Sequence, residues 1–321
     1  MSVKSICILL LFSAFFLACA KPAAELKRSN ESPASVATQS QPGVVEQQLE
    51  QRLKTISDGA QGTVGLSVVH IESGKTLSLN GNSQLPLYSV FKLPLAIAVL
   101  KDVEENHLRL DQKVQVTPAE IVPGAPENTA LWQKPVELPI ERLIEFSVSR
   151  SDNTSTDKLL QLIGGPGRVT ERMRALDLQN LDIHLTVAEY VKSRQNPNVG
   201  SADDLAKLLV QLHLGKVLQP AHTNLLIGFM ERATTGLHRL RGDLPSGTVV
   251  ADKTGSGERD AATGMAKATN DVGIITLPSG RGHLAIAVLV NESKLPDAGQ
   301  EKLIADLARA AYDAYATAAA N

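Results

Sequence analysis

Apolar residues recur at Val45, Leu49, Leu53 and Ile56, the spacing of one helix face, and the run stops near Asp58-Gly59. The period then shortens. Thr63 to Ile71 (TVGLSVVHI) reads as a strand, Glu72-Ser73-Gly74-Lys75 as a hairpin turn, and Thr76 to Leu79 as the partner strand. A helical apolar run opens at Ser89 and continues to about Leu100, with Pro94 confined to its first turns, where a missing N–H costs nothing. From about Val103 to Glu231 the pattern is mostly helical, broken by loops at PGAPEN and GGPG. Strand-like β-branched runs return at Thr248 to Lys253, Asp271 to Leu277 and Leu284 to Val290, and an alanine-rich amphipathic helix runs from Asp297 to about Ala319.

Strands at both chain ends with helices between them predict an α+β fold. One antiparallel β-sheet is assembled from the two ends, with flanking helices and an inserted all-helical lobe. The α/β lobe spans about 44–102 and 236–321, and the helical lobe about 103–235. A cleft is expected where the lobes meet.

Ahead of this unit, residues 1–20 (MSVKSICILLLFSAFFLACA) carry Lys4, a short apolar run from Ile6 to Leu17, and small residues. That is the build of a secretory signal, too short for a spanning helix. Ala18-Cys19-Ala20 fits cleavage after Ala20, whereas Phe16-Leu17-Ala18-Cys19 resembles a bacterial lipobox with Cys19 as the lipidated residue. Cys7 and Cys19 are the two cysteines of the chain, so Cys19 is either a lone thiol or a lipid attachment point, and no internal disulfide is expected. Residues 21–43 are rich in Ala, Ser, Pro and Gln and read as a flexible linker. An exported, periplasmic protein is expected, touching the membrane only through a lipid at Cys19.

Composition narrows the function further. A net charge of -2 and 3% aromatic residues argue against a nucleic-acid partner, which wants a basic surface and stacking platforms. No G-x-S-x-G elbow, phosphate loop or dinucleotide fingerprint is present. The seven histidines show neither H-x-H nor H-E-x-x-H spacing, so no metal or other cofactor is expected.

Two strings spell S-x-x-K: Ser89 with Lys92, and Ser155 with Lys158. Either alone is chance-level. What separates them is an ordered set: Ser151-Asp152-Asn153 lies 62 residues after Ser89, and Lys253-Thr254-Gly255 lies 102 residues further on, each at an element boundary. With these strings the chain resembles the penicillin-recognising serine enzymes, and most closely class A β-lactamases, over about residues 45 to 318. The sequence around Lys253-Thr254-Gly255-Ser256-Gly257 and Thr269 to Ile274 is especially similar to that family.

The resemblance implies roles. Ser89 is the nucleophile and Lys92 its base, since a serine hydroxyl is weak until a neighbour takes its proton, and residues three apart share a helix face. Burial and Lys253 would depress the pKa of Lys92. The N–H groups of Ser89 and Ser256 form the oxyanion hole. Ser151 protonates the leaving nitrogen, and Asn153 holds the substrate's side-chain amide. Lys253, Thr254 and Ser256 receive its carboxylate, and Gly255 lets the substrate lie against the strand. Ser155 falls outside the pattern.

Hydrolysing the acyl-enzyme requires a further carboxylate, and by spacing, 38 residues after Ser151, the family's deacylating glutamate is Glu189. Two departures bear on it. Ser193 stands where the family has an amide side chain, and only residues 190–200 separate Glu189 from the helical run Ser201 to Leu209. The expected activity is β-lactam hydrolysis by a monomer acting on a small-molecule β-lactam. The rivals are a D,D-peptidase and a slow-turnover penicillin-binding protein or sensor acting on peptidoglycan peptides.

Overall fold

The computed structural model describes residues 43–317. The expected signal segment, Cys19 and all but the last residue of the linker lie outside the described residues. The first elements are α1 (Val44–Asp58), β1 (Thr63–His70), β2 (Lys75–Leu79), β3 (Leu85–Pro86), a 3₁₀ turn (Tyr88–Phe91) and α2 (Lys92–Glu104). Next come β4 (Lys113–Val116), α3 (Pro126–Leu131), β5 (Val136–Pro139), α4 (Ile140–Ser149), α5 (Asn153–Leu162) and α6 (Pro166–Ala175). They are followed by α7 (Val187–Ser193), β6 (Val199–Gly200), α8 (Ala202–His213) and α9 (Pro220–Glu231). The chain returns to sheet with β7 (Val250–Ser256), β8 (Ala266–Thr276) and β9 (His283–Ser293), and ends in α10 (Asp297–Thr317).

The main sheet has the order β2-β1-β9-β8-β7, antiparallel throughout, so both chain ends contribute to it as expected. Its central strand shows how period 2 sorts side chains when both faces are covered. Along β9, Leu284, Ile286, Val288 and Val290 join the core made with α1 and α10. Ala285, Ala287 and Leu289 join the core made with the helices, which is built around α2. Helix α2 is apolar and buried from Leu93 to Leu100, as a helix hydrophobic all round must be.

Three local expectations change. Ser89 does not open an α-helix; it sits in the 3₁₀ turn, and α2 starts at Lys92, which leaves Pro94 in the first turn. Strand β8 begins five residues before Asp271, because Thr269, Asn270 and Asp271 are buried polar residues that disguise it. Asn270 Nδ2 donates to the carbonyls of Pro86 and Leu87 at 2.8 and 3.2 Å, which ties β8 to the chain just before Ser89. The stretch read as mostly helical also contains the antiparallel pair β4 with β5, and β6, which pairs with β3 from just before Ser89.

Candidate active site

Strand β7 is an edge of the sheet, and its last residues lie against the turn that carries Ser89. A β-carbon on Gly255 would collide with the Leu87 carbonyl oxygen and stand 3.1 Å from the Ser89 amide nitrogen. Two residues on, a β-carbon on Gly257 would meet the Tyr88 ring at 2.5 Å. Glycine at both positions, on one face of the strand, is what permits this approach. Tyr88 takes a left-handed φ of 46°, which turns the backbone immediately before the serine.

Lys92, three residues after Ser89, is fully buried. Its Nζ donates to the Ser151 carbonyl at 2.6 Å and to Asn153 Oδ1 at 2.8 Å, and lies 3.3 Å from Ser151 Oγ. The same hydroxyl is 3.2 Å from Nζ of Lys253, which also donates to the Thr254 carbonyl at 2.9 Å. Two buried lysines therefore converge on one serine. Burial first, and then the charge of Lys253, push the pKa of Lys92 well below the ordinary lysine value. Lys253, also fully buried, is pushed down to about 8, chiefly by burial, while Asp252 and Asp271 pull the other way. Both of those buried acids are raised, first by burial.

The middle residue of the second string has a structural task. Asp152 caps α5, accepting from the Ser155 amide at 2.6 Å and the Ser155 hydroxyl at 2.5 Å, while Trp132 Nε1 donates to its other oxygen at 3.2 Å. The second S-x-x-K is thus a cap partner in the core, and Ser155 is buried. Asn153 Nδ2 donates to the Pro123 carbonyl at 2.6 Å. Thr254 Oγ1 pairs with Thr235 Oγ1 at 2.6 Å. Ser256, exposed at the strand end, accepts from Arg239 Nη2 at 2.7 Å, and Arg239 also donates to the Asn270 and Gly255 carbonyls.

Ser89, Asn153, Ser256 and Gly257 line a cavity of about 330 Å³. Another wall is α7, through Val187, Tyr190 and Val191, with Arg194 just past its end. A strap crosses it: the hydroxyls of Tyr88 and Tyr190 are 3.0 Å apart, and Tyr190 donates to Glu258 at 3.2 Å. Glu258 in turn accepts from Lys267 at 2.9 Å. Ser89 makes no hydrogen bond through its hydroxyl among the described residues, and Lys92 Nζ is directed to Ser151 and Asn153 instead.

Glu189 is the predicted residue that the fold does not bring to this group. It is exposed, and its Oε2 accepts from the Thr186 amide at 2.8 Å and the Thr186 hydroxyl at 2.9 Å, a capping box at the start of α7. At about 100° per residue it stands roughly 200° around α7 from Val187, on the face turned away from the cavity. Asp157 pins that turn by accepting from the Val187 and Ala188 amides, both at 2.8 Å. Ser193, in the place of the family's amide, bonds within its own loop to Gln195. Arg239, Thr235 and the tyrosine strap were not legible in the sequence, because a single arginine, threonine or tyrosine carries no spacing signal.

Comparison with known proteins agrees with this geometry. Residues 48–315 match the model of the Beta-lactamase enzyme family. Extended-spectrum beta-lactamase PER-1 of Pseudomonas aeruginosa is 35% identical over 268 residues, covering 82% of this chain and 86% of its own. Beta-lactamase VEB-1 of the same organism is 32% identical over 276 residues, covering 82% and 89%. Among solved structures, a beta-lactamase from Chitinophaga pinensis superposes with a TM-score of 0.80 at 37% identity, covering 83% of this chain and 99% of that one. The TLA-3 extended-spectrum beta-lactamase gives 0.81 at 32% identity, covering 84% and 99%.

Proposed function

The chain belongs to the β-lactamase enzyme family, with class A relatives, and on that premise we propose that it hydrolyses the β-lactam amide through an acyl-enzyme on Ser89. The observation that carries the assignment of roles is the convergence of Lys92 and Lys253 on the Ser151 hydroxyl, beside the turn that holds Ser89.

A neutral Lys92 has two protons, enough for the Ser151 carbonyl and Asn153 Oδ1, which leaves one lone pair for a hydroxyl proton. In this reading Ser89 Oγ attacks the lactam carbonyl carbon as its proton passes to Lys92. The amides of Ser89 and Ser256 hold the developing oxyanion. The carbon–nitrogen bond breaks as Ser151 gives its proton to the ring nitrogen, and the neighbouring lysines restore it. Lys253, Thr254 and Ser256 receive the substrate carboxylate, and the Arg239 guanidinium beside Ser256 adds a second positive charge. Asn153 holds the side-chain amide.

Sequence spacing supports Glu189 as the base that activates the deacylating water. Its carboxylate is held by Thr186 in the unacylated protein, so this role requires the first turn of α7 to release it. Deacylation is then the slow step, and an acyl-enzyme accumulates during turnover. Mixing the protein with a chromogenic cephalosporin should give a burst of about one equivalent per chain followed by steady hydrolysis. A stable adduct without turnover would favour a penicillin-binding sensor, and cleavage of a D-alanyl-D-alanine peptide a peptidase.

The amino-terminal residues support export to the periplasm, with Cys19 as the lipid anchor or Ala20 as the cleavage point. Palmitate labelling that Cys19→Ser abolishes would establish the anchor, and its absence would leave simple cleavage.

A further inference from the structure

The turn between β1 and β2, the last residue of α8 and the first residue of β9 bring Glu72, His213 and His283 together, outside the cavity described above. One ligand atom from each lies within 4.8 Å of the other two. Residues 72, 213 and 283 have no motif spacing, so only folding assembles them.

The arrangement is held in place. Glu72 Oε1 accepts from His283 Nδ1 at 2.7 Å, and Oε2 accepts from the His283 amide at 2.8 Å. Gly282, with φ of 94°, makes room for this: a β-carbon there would collide with the Glu72 carboxylate. The His213 ring lies 4.2 Å from that of His283, tilted by 47°, and makes no hydrogen bond among the described residues. His70 stands at the rim, its Nε2 3.7 Å from Glu72, but that nitrogen is 2.9 Å from the Arg281 carbonyl and its ring stacks on Tyr315.

We propose that Glu72, His213 and His283 form a structural binding site for one borderline divalent cation of the zinc type. Two imidazoles and one carboxylate suit zinc, cobalt or nickel, whereas magnesium and calcium prefer oxygen donors. Zinc–nitrogen bonds of about 2.0–2.1 Å place ligand atoms roughly 3.3 Å apart around a tetrahedral ion, and the three ligand atoms here lie within 4.8 Å of one another. The ion displaces the proton between Glu72 and His283, and water fills the fourth position. The second acidic and histidine cluster, Asp102, Glu105 and His107, is a poorer candidate because Arg172 already bonds both of its carboxylates. Occupied, the site ties the end of α8 to the start of β9 and to the β1–β2 turn, which stabilises the fold by linkage.

Titration of the chelator-treated full chain with zinc chloride, followed by calorimetry, tests this. The expected result is one saturable site, with a dissociation constant on the order of micromolar and a zinc-dependent rise in Tm. His213→Gln and His283→Gln each weaken binding at least about tenfold and abolish the rise in Tm, while β-lactam turnover is unchanged. No saturable binding would overturn the proposal. So would binding that survives both substitutions, or binding that His107→Gln removes instead.

Discussion

The Ser151 carbonyl accepts a hydrogen bond from Lys92 Nζ at 2.6 Å, and the left-handed φ of 55° at Ser151 belongs to the same arrangement. In this conformation one residue offers Lys92 both its carbonyl and its hydroxyl, and Asn153 two residues on offers its amide oxygen. A serine held at positive φ costs on the order of 1 kcal/mol, so the fold gives up stability here to place a proton donor. Ser151→Gly should separate the two effects. Thermal unfolding should show Tm unchanged or slightly raised, since glycine takes this φ freely. Steady-state assays should show kcat/KM down by about 10² or more, as loss of a positioned proton donor requires.

Lys253 supplies a further expectation, in pH. Its ammonium is present below about 8 and is lost as pH rises through that value. For a β-lactam bearing a free carboxylate, kcat/KM should fall about tenfold per pH unit on the alkaline side. A substrate with its carboxylate masked as an ester has no anion for the Lys253 ammonium to receive, so it should show no such limb. The same shift acts on folding. Above about 8 the unfolded chain keeps a proton on Lys253 that the native state has lost, so this residue's contribution to stability rises with pH until the ordinary lysine value is reached.

Ser155→Ala isolates the second S-x-x-K. The hydroxyl that donates to the Asp152 carboxylate at 2.5 Å is buried, and its removal should cost about 1–2 kcal/mol. Denaturant unfolding should register that loss, while the mutant still acylates. A Ser155→Ala protein that folds normally and forms no adduct would exchange the roles of the two serines.

Much of the site was legible because its chemistry sits in short strings. Ser89, Lys92, Ser151, Asn153 and Lys253 to Ser256 were named from three of them, and the fold brings those residues to one place. The sheet was legible from both chain ends, since β-branched runs there are continuous. The start of β8 was not, because Thr269, Asn270 and Asp271 are polar residues buried to satisfy partners from other segments. Spacing located Glu189 but not its orientation. That is set by Thr186 and Asp157 acting on a helix of seven residues. Arg239 was missed because its link to the site is the hydrogen bond to Ser256, a property of the fold.

Gly255→Ala tests the close approach of β7 to the nucleophile. The added methyl cannot avoid the Leu87 carbonyl, which belongs to backbone that Asn270 already fixes. Forcing the two apart should cost about 1–3 kcal/mol. It should also open the gap between the Ser89 and Ser256 amides, so kcat should fall further than a stability loss of that size explains. Melting and kinetic measurements on the same preparation decide this.

Intact-protein and peptide mass spectrometry during turnover of a chromogenic cephalosporin tests the acyl-enzyme most directly. The account predicts one adduct per chain, located on Ser89, that forms in a burst and decays as product appears. It should be missing in Ser89→Ala and persistent in Glu189→Gln, where glutamine still completes the Thr186 capping box. Hydrolysis that continues in Ser89→Ala, or an adduct found on another residue, would contradict it.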